Sequence, residues 1–315
     1  MYISFARRVL KWRFKNCLLG LAVGDALGMP VEGLSRDQII KIYGKIDNFL
    51  PSPNGYLSAG EWTDDTEQML VLANSMLESG CFDPNIFAKK LKLHYVESIN
   101  LNFRLGPTSK KAIERLLKGY DWTQSGVYSD TCGAAMRVAP IGLVYHFNPN
   151  LVRKYSELSA RVTHKGIHAI SGAISVALAI SYCILDLSDS EIVQRVIKNI
   201  KGYSPLLARK IELSYKISEK PVDFAISKLG NSISSLDVVP MAFYCYFSSI
   251  SYKECVLKAV NGGGDTDSIA AIAGALKGAR GEKVPRKWIN KINKKEIIIK
   301  ASLNLFRLYK RINKK

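Results

Sequence analysis

The segment Asn261–Ser268 most constrains how this chain can fold. It contains three consecutive glycines, and each glycine leaves the backbone too free to hold a regular element together. An Asp-x-Asp-Ser cluster follows and opens a run of small residues, mostly Ala, Gly and Ile, that extends from Ile269 to Gly281. The pattern predicts a glycine hinge leading into a closely packed helix.

The polar residues of this segment are Asp265, Asp267 and Ser268. Two carboxylates and a hydroxyl are hard oxygen donors of the kind that Mg²⁺ or Ca²⁺ prefers. Helix N-capping is the structural alternative, since Asp and Ser are common caps. A cap explains one Asp, but it does not explain two together with a hydroxyl and a triple glycine. The segment therefore favours a functional site.

A second oxygen-rich cluster, Thr63-Asp64-Asp65, lies about 200 residues upstream and also precedes a predicted helix. Four carboxylates and two hydroxyls carry too much negative charge for one buried site unless cations neutralise it. Two Mg²⁺ or Mn²⁺ ions, about 3.5–4 Å apart, would do so. Two helix N-termini also favour a diphosphate. Two unrelated capped helices remain the structural alternative.

Apolar residues recur at helical spacings along most of the chain, and no segment shows sustained period-two alternation. We predict an all-α fold, with residues 1–315 forming a single compact multi-helix domain, and loop with short helical pieces over 33–62. Glycines four apart, Gly20 and Gly24, predict a tight helix–helix crossing beside Asp25. Longer helices are predicted over 5–23, 67–79, 83–99, 106–118, 149–162, 167–185, 188–200, 205–217, 221–229, 238–248, 252–260, 269–281, 284–292 and 296–312.

The net charge of +18 is concentrated at the two ends of the chain. Residues 1–24 carry +5 and residues 283–315 carry +11, which together make 16 of the 18 charges. Basic ends attract polyanions such as nucleic acid. A solvated basic face is the alternative, and it is favoured because no known nucleic-acid module is present. Nucleic-acid association through the ends remains a subsidiary hypothesis.

The six cysteines are scattered without a C-x-x-C pair, and the four histidines are widely spaced, which argues against a zinc site or a disulfide framework. The apolar run at 17–23 lies at the short limit for a signal peptide. No run of 18 apolar residues occurs, so no membrane span is expected. We expect a cytoplasmic monomer.

Five motifs, in order between about Asn16 and Arg280, resemble the ADP-ribosylglycohydrolase family. They read Gly-Asp-Ala-Leu-Gly at 24–28, Trp-Thr-Asp-Asp-Thr at 62–66, Ala-Met-Arg-Val-Ala-Pro at 135–140, Thr-His at 163–164 and Gly-Gly-Asp-Thr-Asp-Ser at 263–268. The resemblance implies an orthogonal all-α fold and a dinuclear Mg²⁺ or Mn²⁺ centre. It also implies hydrolysis of the glycosidic bond between ADP-ribose and an acceptor, either a protein side chain or a small molecule.

The resemblance also implies roles for individual residues. Ser268 stands where the family often has Thr, a mild departure because the hydroxyl is kept. The implied metal ligands are Thr63, Asp64, Asp65, Asp265, Asp267 and Ser268. The implied substrate-binding residues are Asp25, Gly106, Thr108, Ser129, Gly133, His164 and Gly263, with the triple glycine giving clearance for ribose or diphosphate. The implied catalytic residues are Glu32, Asp64 and Asp265.

Plain alternatives stand beside these roles. If Glu32 is not catalytic, it is an exposed loop residue. If His164 and Asp25 do not bind substrate, His164 is a capping or core histidine, and Asp25 supports the site from behind. The whole protein is otherwise a non-catalytic ADP-ribose-binding or structural relative. The acceptor stays open between arginine, serine, a nucleobase, acetate and a second ADP-ribose. That choice is expected to depend on the loops around Glu32 and residues 100–108.

Overall fold

Helix α1 (Tyr2–Gly28) packs along its length against α15 (Thr266–Arg280), and this pair forms the centre of the molecule. The computed structural model describes residues 2–98 and 105–314; the side chains of residues 2–7 and 98 lie outside that description. About 70% of the chain is helical, and the described ranges contain no strand. The predicted all-α fold, with a single compact domain, is therefore confirmed.

Glycines allow the two central helices to approach at backbone distance. A Cβ at Gly24 would lie 2.2 Å from the carbonyl oxygen of Ala270, and one at Gly20 would lie 2.4 Å from that of Gly274. Real side chains do not reach such distances, so only glycine fits at these positions. The crossing predicted from the glycine spacing is confirmed.

The remaining helices pack around this pair. Helix α9 (Ile167–Ile184) is the one described helix long and apolar enough to cross a membrane, but 89% of it is buried inside the protein. The other helices are α2 (Arg36–Tyr43), α3 (Asp64–Ser79), α4 (Pro84–Ser98), α5 (Pro107–Leu117), α6 (Trp122–Ser125), α7 (Ala139–Val144), α8 (Pro149–Arg161), α10 (Asp189–Ile200), α11 (Pro205–Lys216), α12 (Val222–Leu229), α13 (Ser235–Phe247), α14 (Tyr252–Val260), α16 (Arg286–Lys291) and α17 (Lys295–Ile312).

Most helix predictions agree with these bounds to within a few residues. The main difference is α1, which continues to Gly28 instead of ending at residue 23, because the crossing with α15 extends through its last turn. Helix α2 begins with a capping box between Ser35 and Gln38, a signal inside the segment predicted as mainly loop. The predicted end of α4 at residue 99 lies outside the described ranges.

Three isolated β-bridges tie the connecting loops together at one end of the α1–α15 pair. They join Ser35 to Gly263, Val127 to His164 and Thr131 to Ser234. Loops from five parts of the sequence are therefore fixed next to the starts of α3 and α15.

Candidate active site

A cavity lies where α3 and α15 begin. Its volume is ≈ 560 Å³ when the space open to solvent is included. Ten of the residues predicted from the sequence line it: Glu32, Asp64, Asp65, Gly106, Thr108, Gly133, His164, Asp265, Asp267 and Ser268. Six further lining residues were not named individually from the sequence: Pro107, Ser109, Thr131, Cys132, Met136 and Ile233. Three of them, Pro107, Thr131 and Cys132, lie in the loops 106–108 and 129–133, where the family resemblance implies contacts with the diphosphate and ribose. The two acidic clusters, about 200 residues apart in the chain, thus share one cavity.

The first cluster is positioned by the N-terminus of α3. Thr63 is the N-cap, and its hydroxyl oxygen accepts a hydrogen bond from the backbone N–H of Asp65 at 3.4 Å. Because this local bond uses Thr63, the carboxylates of Asp64 and Asp65 in the first turn are left to face the cavity. Thr63 itself is buried and lies beside the lining rather than in it.

Asp25, in the last turn of α1, holds this helix start from behind. Its carboxylate accepts hydrogen bonds from the backbone N–H of Thr63 at 2.9 Å, the backbone N–H of Thr66 at 3.0 Å and the Thr66 hydroxyl at 2.6 Å. Asp25 is fully buried and does not line the cavity. The geometry agrees with a supporting role rather than direct contact with substrate.

The second cluster is held by the loop that precedes α15. Asp265 occupies the N-cap position, yet its side chain makes no capping hydrogen bond. Its backbone N–H donates to the carbonyl of Asn231 at 2.9 Å, and the thiol of Cys132 donates to its Oδ2 at 3.1 Å. N-capping therefore does not explain Asp265, because its carboxylate faces the cavity instead of the helix backbone.

The triple glycine serves a different purpose from the one predicted. Gly263 and Gly264 have φ angles of 76° and 80°, in the left-handed region that favours glycine. A Cβ at Gly263 would lie 2.5 Å from the backbone nitrogen of Arg36, and one at Gly264 would lie 1.9 Å from the carbonyl oxygen of Asn231. Neither residue lines the cavity. The clearance predicted for ribose or diphosphate is instead occupied by the chain's own backbone.

A polar wall of the cavity is a chain of hydroxyls that ends at a histidine. Ser129 does not line the cavity itself, but its hydroxyl lies 2.9 Å from that of Thr108. Thr108 accepts from the hydroxyl of Thr131 at 3.2 Å, and Thr131 lies 3.0 Å from Nε2 of His164. Burial, together with the nearby Arg137, lowers the pKa of His164 to about 3, so this imidazole is neutral at physiological pH.

Burial raises the pKa of several carboxyl groups at the site. The pKa of Asp25 rises to about 6, and that of Asp64 to about 7. The pKa values of Asp65 and Asp267 lie well above the ordinary range, because burial and neighbouring carboxylates both disfavour the charged form. The site therefore holds more negative charge than its own surroundings stabilise.

The donor chemistry fits hard divalent cations. The buried Oδ2 of Asp65 has no hydrogen-bond partner, and the charge of Asp265 adds to the cost of ionising both Asp65 and Asp267. Within the described ranges, no three His, Cys, Asp or Glu side chains converge closely enough to form a ready-made metal site. The residues fit a cation by donor type and by unbalanced charge.

A fully buried cation, Arg137, lies behind the cavity, and the sequence alone predicts no role for it. Its guanidinium donates to Gln68 Oε1 at 2.6 Å, to the hydroxyl of Thr163 at 2.7 Å and to the carbonyl of Ser159 at 3.0 Å. Its place in the 135–140 motif was the only sequence signal. Gln68 and Thr131 offered no comparable signal, since each is an ordinary polar residue in a helix or loop.

Comparison with known proteins agrees with the site. The family model described as ADP-ribosylglycohydrolase matches residues 7–314. An uncharacterized protein of Archaeoglobus fulgidus is 56% identical over 96% of this chain and 98% of its own length. The ADP-ribosyl-[dinitrogen reductase] glycohydrolase of Rhodospirillum rubrum is 28% identical, covering 90% of this chain and 91% of its own.

A solved structure described as an ADP-ribosylglycohydrolase-related protein complex superposes with a TM-score of 0.80 at 27% identity, covering 96% of this chain and 99% of that one. The fold therefore matches over nearly the whole chain, and so does the family model. The chain belongs to the ADP-ribosylglycohydrolase family and is an ADP-ribosyl hydrolase, acting on glycosidic bonds of ADP-ribose.

Proposed function

We propose that this enzyme is a Mg²⁺- or Mn²⁺-dependent hydrolase that removes ADP-ribose from an ADP-ribosylated protein side chain or from a small ADP-ribose derivative. The observation that carries this proposal is the single cavity shared by the first turns of α3 and α15. It combines buried carboxylates that lack countercharge with two helix N-termini, which favour anions such as a diphosphate. A cation and a phosphate-bearing sugar satisfy both features together.

Six residues would hold the divalent ions: Thr63, Asp64, Asp65, Asp265, Asp267 and Ser268. When bound, the ions would supply Lewis acidity and orient the ribose hydroxyls. Thr63 enters this set only if its hydroxyl turns from the backbone of Asp65, since Thr63 is an N-cap in the structure. Asp25 keeps the α3 half of this set in place through its bonds to Thr63 and Thr66.

Cleavage of a glycosidic bond passes through an oxocarbenium-like state, which negative groups stabilise. The carboxylates facing the cavity supply that charge. Glu32 lines the same cavity from an exposed position just after the short 3₁₀ turn Met29–Val31. We assign Glu32 the proton transfer, since it combines solvent access with a place beside Asp64 and Asp267. Asp64 and Asp265 act through the ions they bind.

Thr108 and Thr131 of the hydroxyl wall would bind the ribose and diphosphate of the ligand. Ser129 would support them through its hydrogen bonds to both hydroxyls. Gly133 leaves room on this wall, because a Cβ there would lie 2.8 Å from Cε1 of His164. The acceptor would lie on the side of Glu32 and Gly106. Residues 100–104, which were predicted to help select the acceptor, lie outside the described ranges.

The test measures ligand binding and turnover separately. ADP-ribose should raise the melting temperature of the protein with Mg²⁺ present and fail to do so in excess chelator. Asp265→Asn should abolish turnover, while Asp47→Asn, at an exposed carboxyl remote from the cavity lining, should leave it intact. Substrates linked through arginine, serine, a nucleobase, acetate and ribose would define the acceptor. Full turnover in chelator would refute the metal dependence.

The basic ends support a second proposal, association with nucleic acid. The apolar face of α17 is buried, and its Phe306 packs against Phe14 of α1 with ring centroids 5.5 Å apart. The structure therefore joins the two basic ends into one surface, although they are far apart in sequence. We call it the basic face: Arg8, Lys11, Lys300, Arg307, Lys310 and Arg311, all exposed.

The basic face lacks countercharge. None of the ion pairs within the described ranges includes one of its residues, whereas Lys90 and Lys216 elsewhere on the surface each pair with a glutamate. Because α17 uses its apolar side to pack on the core, it has no free apolar face for insertion into a membrane. A polyanion that binds by charge alone suits this surface better.

Deleting residues 283–315 would not test this idea, because Trp288, Ile298 and Leu305 are fully buried in the core. Charge variants keep that packing. We expect the variant that carries Lys300→Gln, Arg307→Gln, Lys310→Gln and Arg311→Gln to bind labelled single-stranded DNA more weakly, with a salt dependence reduced by about one unit for each lost phosphate contact.

The matched control removes four other exposed lysines: Lys198, Lys201, Lys228 and Lys253. Equal loss of DNA binding in both variants would mean that only net charge matters, and the proposal would fail. Binding to anionic vesicles without DNA binding would also overturn it.

A further inference from the structure

Arg137 lies at the junction of two hydrogen-bonded arms. One arm runs through Gln68 to Asp64 among the carboxylates of the cavity, and the other runs through Thr163 to His164 in the hydroxyl wall. Arg137 is fully buried, and no carboxylate forms an ion pair with it within the described ranges. Its guanidinium lies 5.2 Å from the ring of Phe87. Burying a cation in this way is costly, so its contacts call for an explanation.

A guanidinium donates hydrogen bonds and cannot accept them. Both arms therefore receive a fixed direction at their first step. In the first arm, Arg137 donates to Oε1 of Gln68, which fixes the amide orientation. Nε2 of Gln68 must then donate to Oδ2 of Asp64, at 2.7 Å. That oxygen also accepts from the backbone N–H of Gly106 at 3.4 Å, so Oδ1 is the oxygen left for the cavity.

In the second arm, Arg137 donates to the hydroxyl oxygen of Thr163. The hydroxyl proton of Thr163 then needs an acceptor of its own, since a buried polar proton without one is costly. Among the contacts of the described residues, Nδ1 of His164 at 2.8 Å is the acceptor within reach. A neutral imidazole that accepts at Nδ1 carries its proton at Nε2.

The direction continues along the cavity wall. Nε2–H of His164 would donate to the hydroxyl of Thr131 at 3.0 Å, and Thr131 would donate to Thr108 at 3.2 Å. Thr108 would then donate to Ser129 at 2.9 Å. Each hydroxyl accepts from the preceding group and donates to the next. Ser129 in turn lies 3.3 Å from the hydroxyl of Thr131, so the chain closes into a cluster of three hydroxyls.

We propose that Arg137 is a positioning residue that sets the donor and acceptor direction of both walls of the cavity, and that it thereby holds His164 in the Nε2–H tautomer. The biological meaning of this inference rests on the proposed function, because that function assigns Asp64 to the bound ions and the hydroxyl wall to the ligand. The tautomer itself is independent of turnover, so the two proposals fail separately.

The first test is direct and needs no change to Arg137. Long-range ¹H–¹⁵N correlation spectra of the uniformly labelled protein distinguish the two neutral tautomers of histidine. With four histidines in the chain, a His164→Gln spectrum assigns the signals of His164. We expect Nε2 protonated and Nδ1 unprotonated. A protonated Nδ1 in the wild-type protein would overturn the proposal.

The second test uses a matched pair of variants. Thr163→Val keeps the shape of the side chain but removes the hydroxyl, so it should shift the His164 tautomer toward Nδ1–H. Ser159→Ala is the control, because Arg137 binds the Ser159 carbonyl and not its side chain. The control should retain the wild-type tautomer. An unchanged tautomer in Thr163→Val would also refute the assigned direction.

The other arm has its own readout. Gln68→Met removes the donor to Asp64 and should weaken Mn²⁺ binding about 10- to 100-fold, as supporting residues of metal ligands typically do. Free Mn²⁺ is measured by electron paramagnetic resonance, without substrate. Unchanged Mn²⁺ affinity would show that Arg137 does not act through this arm.

Discussion

Asp64→Asn should stabilise the metal-free protein at alkaline pH, because the site holds carboxylates that resist ionisation. Burial and the neighbouring acids raise the pKa of Asp64 from 3.8 to about 7. At about 1.4 kcal/mol for each pKa unit, ionising Asp64 in the folded protein costs about 4 kcal/mol more than in the unfolded chain. Asp64 keeps partial solvent access, and water screens part of this cost. We therefore expect ionised Asp64 to lower the free energy of unfolding by about 2 kcal/mol.

The sign follows from linkage. A carboxyl whose pKa is higher in the folded protein than in the unfolded chain favours folding in its protonated form. The contribution of Asp64 to the free energy of unfolding is complete below pH 3.8 and is lost as the pH rises through about 7. Asparagine does not titrate, so the stability difference between Asp64→Asn and wild type should grow between pH 4 and 7 and level off above.

Two buried histidines change the free energy of unfolding with pH in the opposite sense to Asp64. Their effect must be subtracted before that of Asp64 is read. The pKa of His164 falls to about 3, and that of His146 is also lowered because of burial. The unfolded chain takes up these protons below pH 6.5 and the folded protein does not, so both histidines cost stability as the pH falls. Comparing wild type with Asp64→Asn at each pH removes this shared effect.

The assay is thermal unfolding in chelator from pH 4.5 to 8. With an unfolding entropy of about 2.1 cal/mol/K per residue, 2 kcal/mol corresponds to about 3 °C in a chain of 315 residues. The difference in Tm should therefore widen by about 3 °C in favour of Asp64→Asn. Mg²⁺ should then raise the Tm of the wild type more than that of the variant. Asp47→Asn, at an exposed carboxyl, serves as the control.

A Tm difference between Asp64→Asn and wild type that stays constant across this pH range would refute the reasoning. It would mean that Asp64 ionises without cost in the folded protein. The excess negative charge at the cavity would then be balanced within the protein, and the argument for bound cations would lose its main physical support.

Three further predictions concern the frame of the site. Asp25→Asn places an amide donor against backbone N–H donors, and should lower Mn²⁺ affinity about 10- to 100-fold, measured by calorimetry. Gly24→Ala should lower the free energy of unfolding in urea by about 1–3 kcal/mol, because its Cβ would lie 2.2 Å from a carbonyl oxygen. The control Gly202→Ala places its Cβ in open space and should leave the free energy of unfolding unchanged. Arg13→Ala should cost about 1–3 kcal/mol, since Arg13 donates to the last carbonyl groups of α9.

The sequence predicted the helices and the shared cavity well, for identifiable reasons. Long amphipathic segments and clear start signals fix helix bounds through local chemistry. Examples are Pro149 in the first turn of α8 and Ser188 at the N-cap of α10. The carboxylates at 64–65 and 265–267 were visible because buried charge in two helix starts has few structural explanations. The glycine crossing was visible because glycines four apart share one helix face.

The missed features depend on contacts between distant segments. The role of Gly263 was misjudged because its neighbour, the backbone of Arg36, is more than 200 residues away in the sequence. Arg137 stood in the 135–140 motif, but its role was missed because its two arms reach residues 68 and 163. Periodicity and spacing report which face a residue occupies, but they do not report its partners across the core.

The last turn of α1 explains why two acidic clusters so far apart in sequence form one site. Asp25 accepts the N–H groups that begin α3. One helical turn later, the carbonyl of Gly28 accepts from the hydroxyl of Thr266 at 2.8 Å, and a Cβ at Gly28 would lie 2.5 Å from the Cα of Asp267. This single turn therefore contacts both helix starts that carry the carboxylates. The glycines of this turn bring α15 close, and its aspartate holds α3. Backbone contacts therefore set the spacing between the two acidic clusters. Repulsion between the carboxylates cannot easily change that spacing.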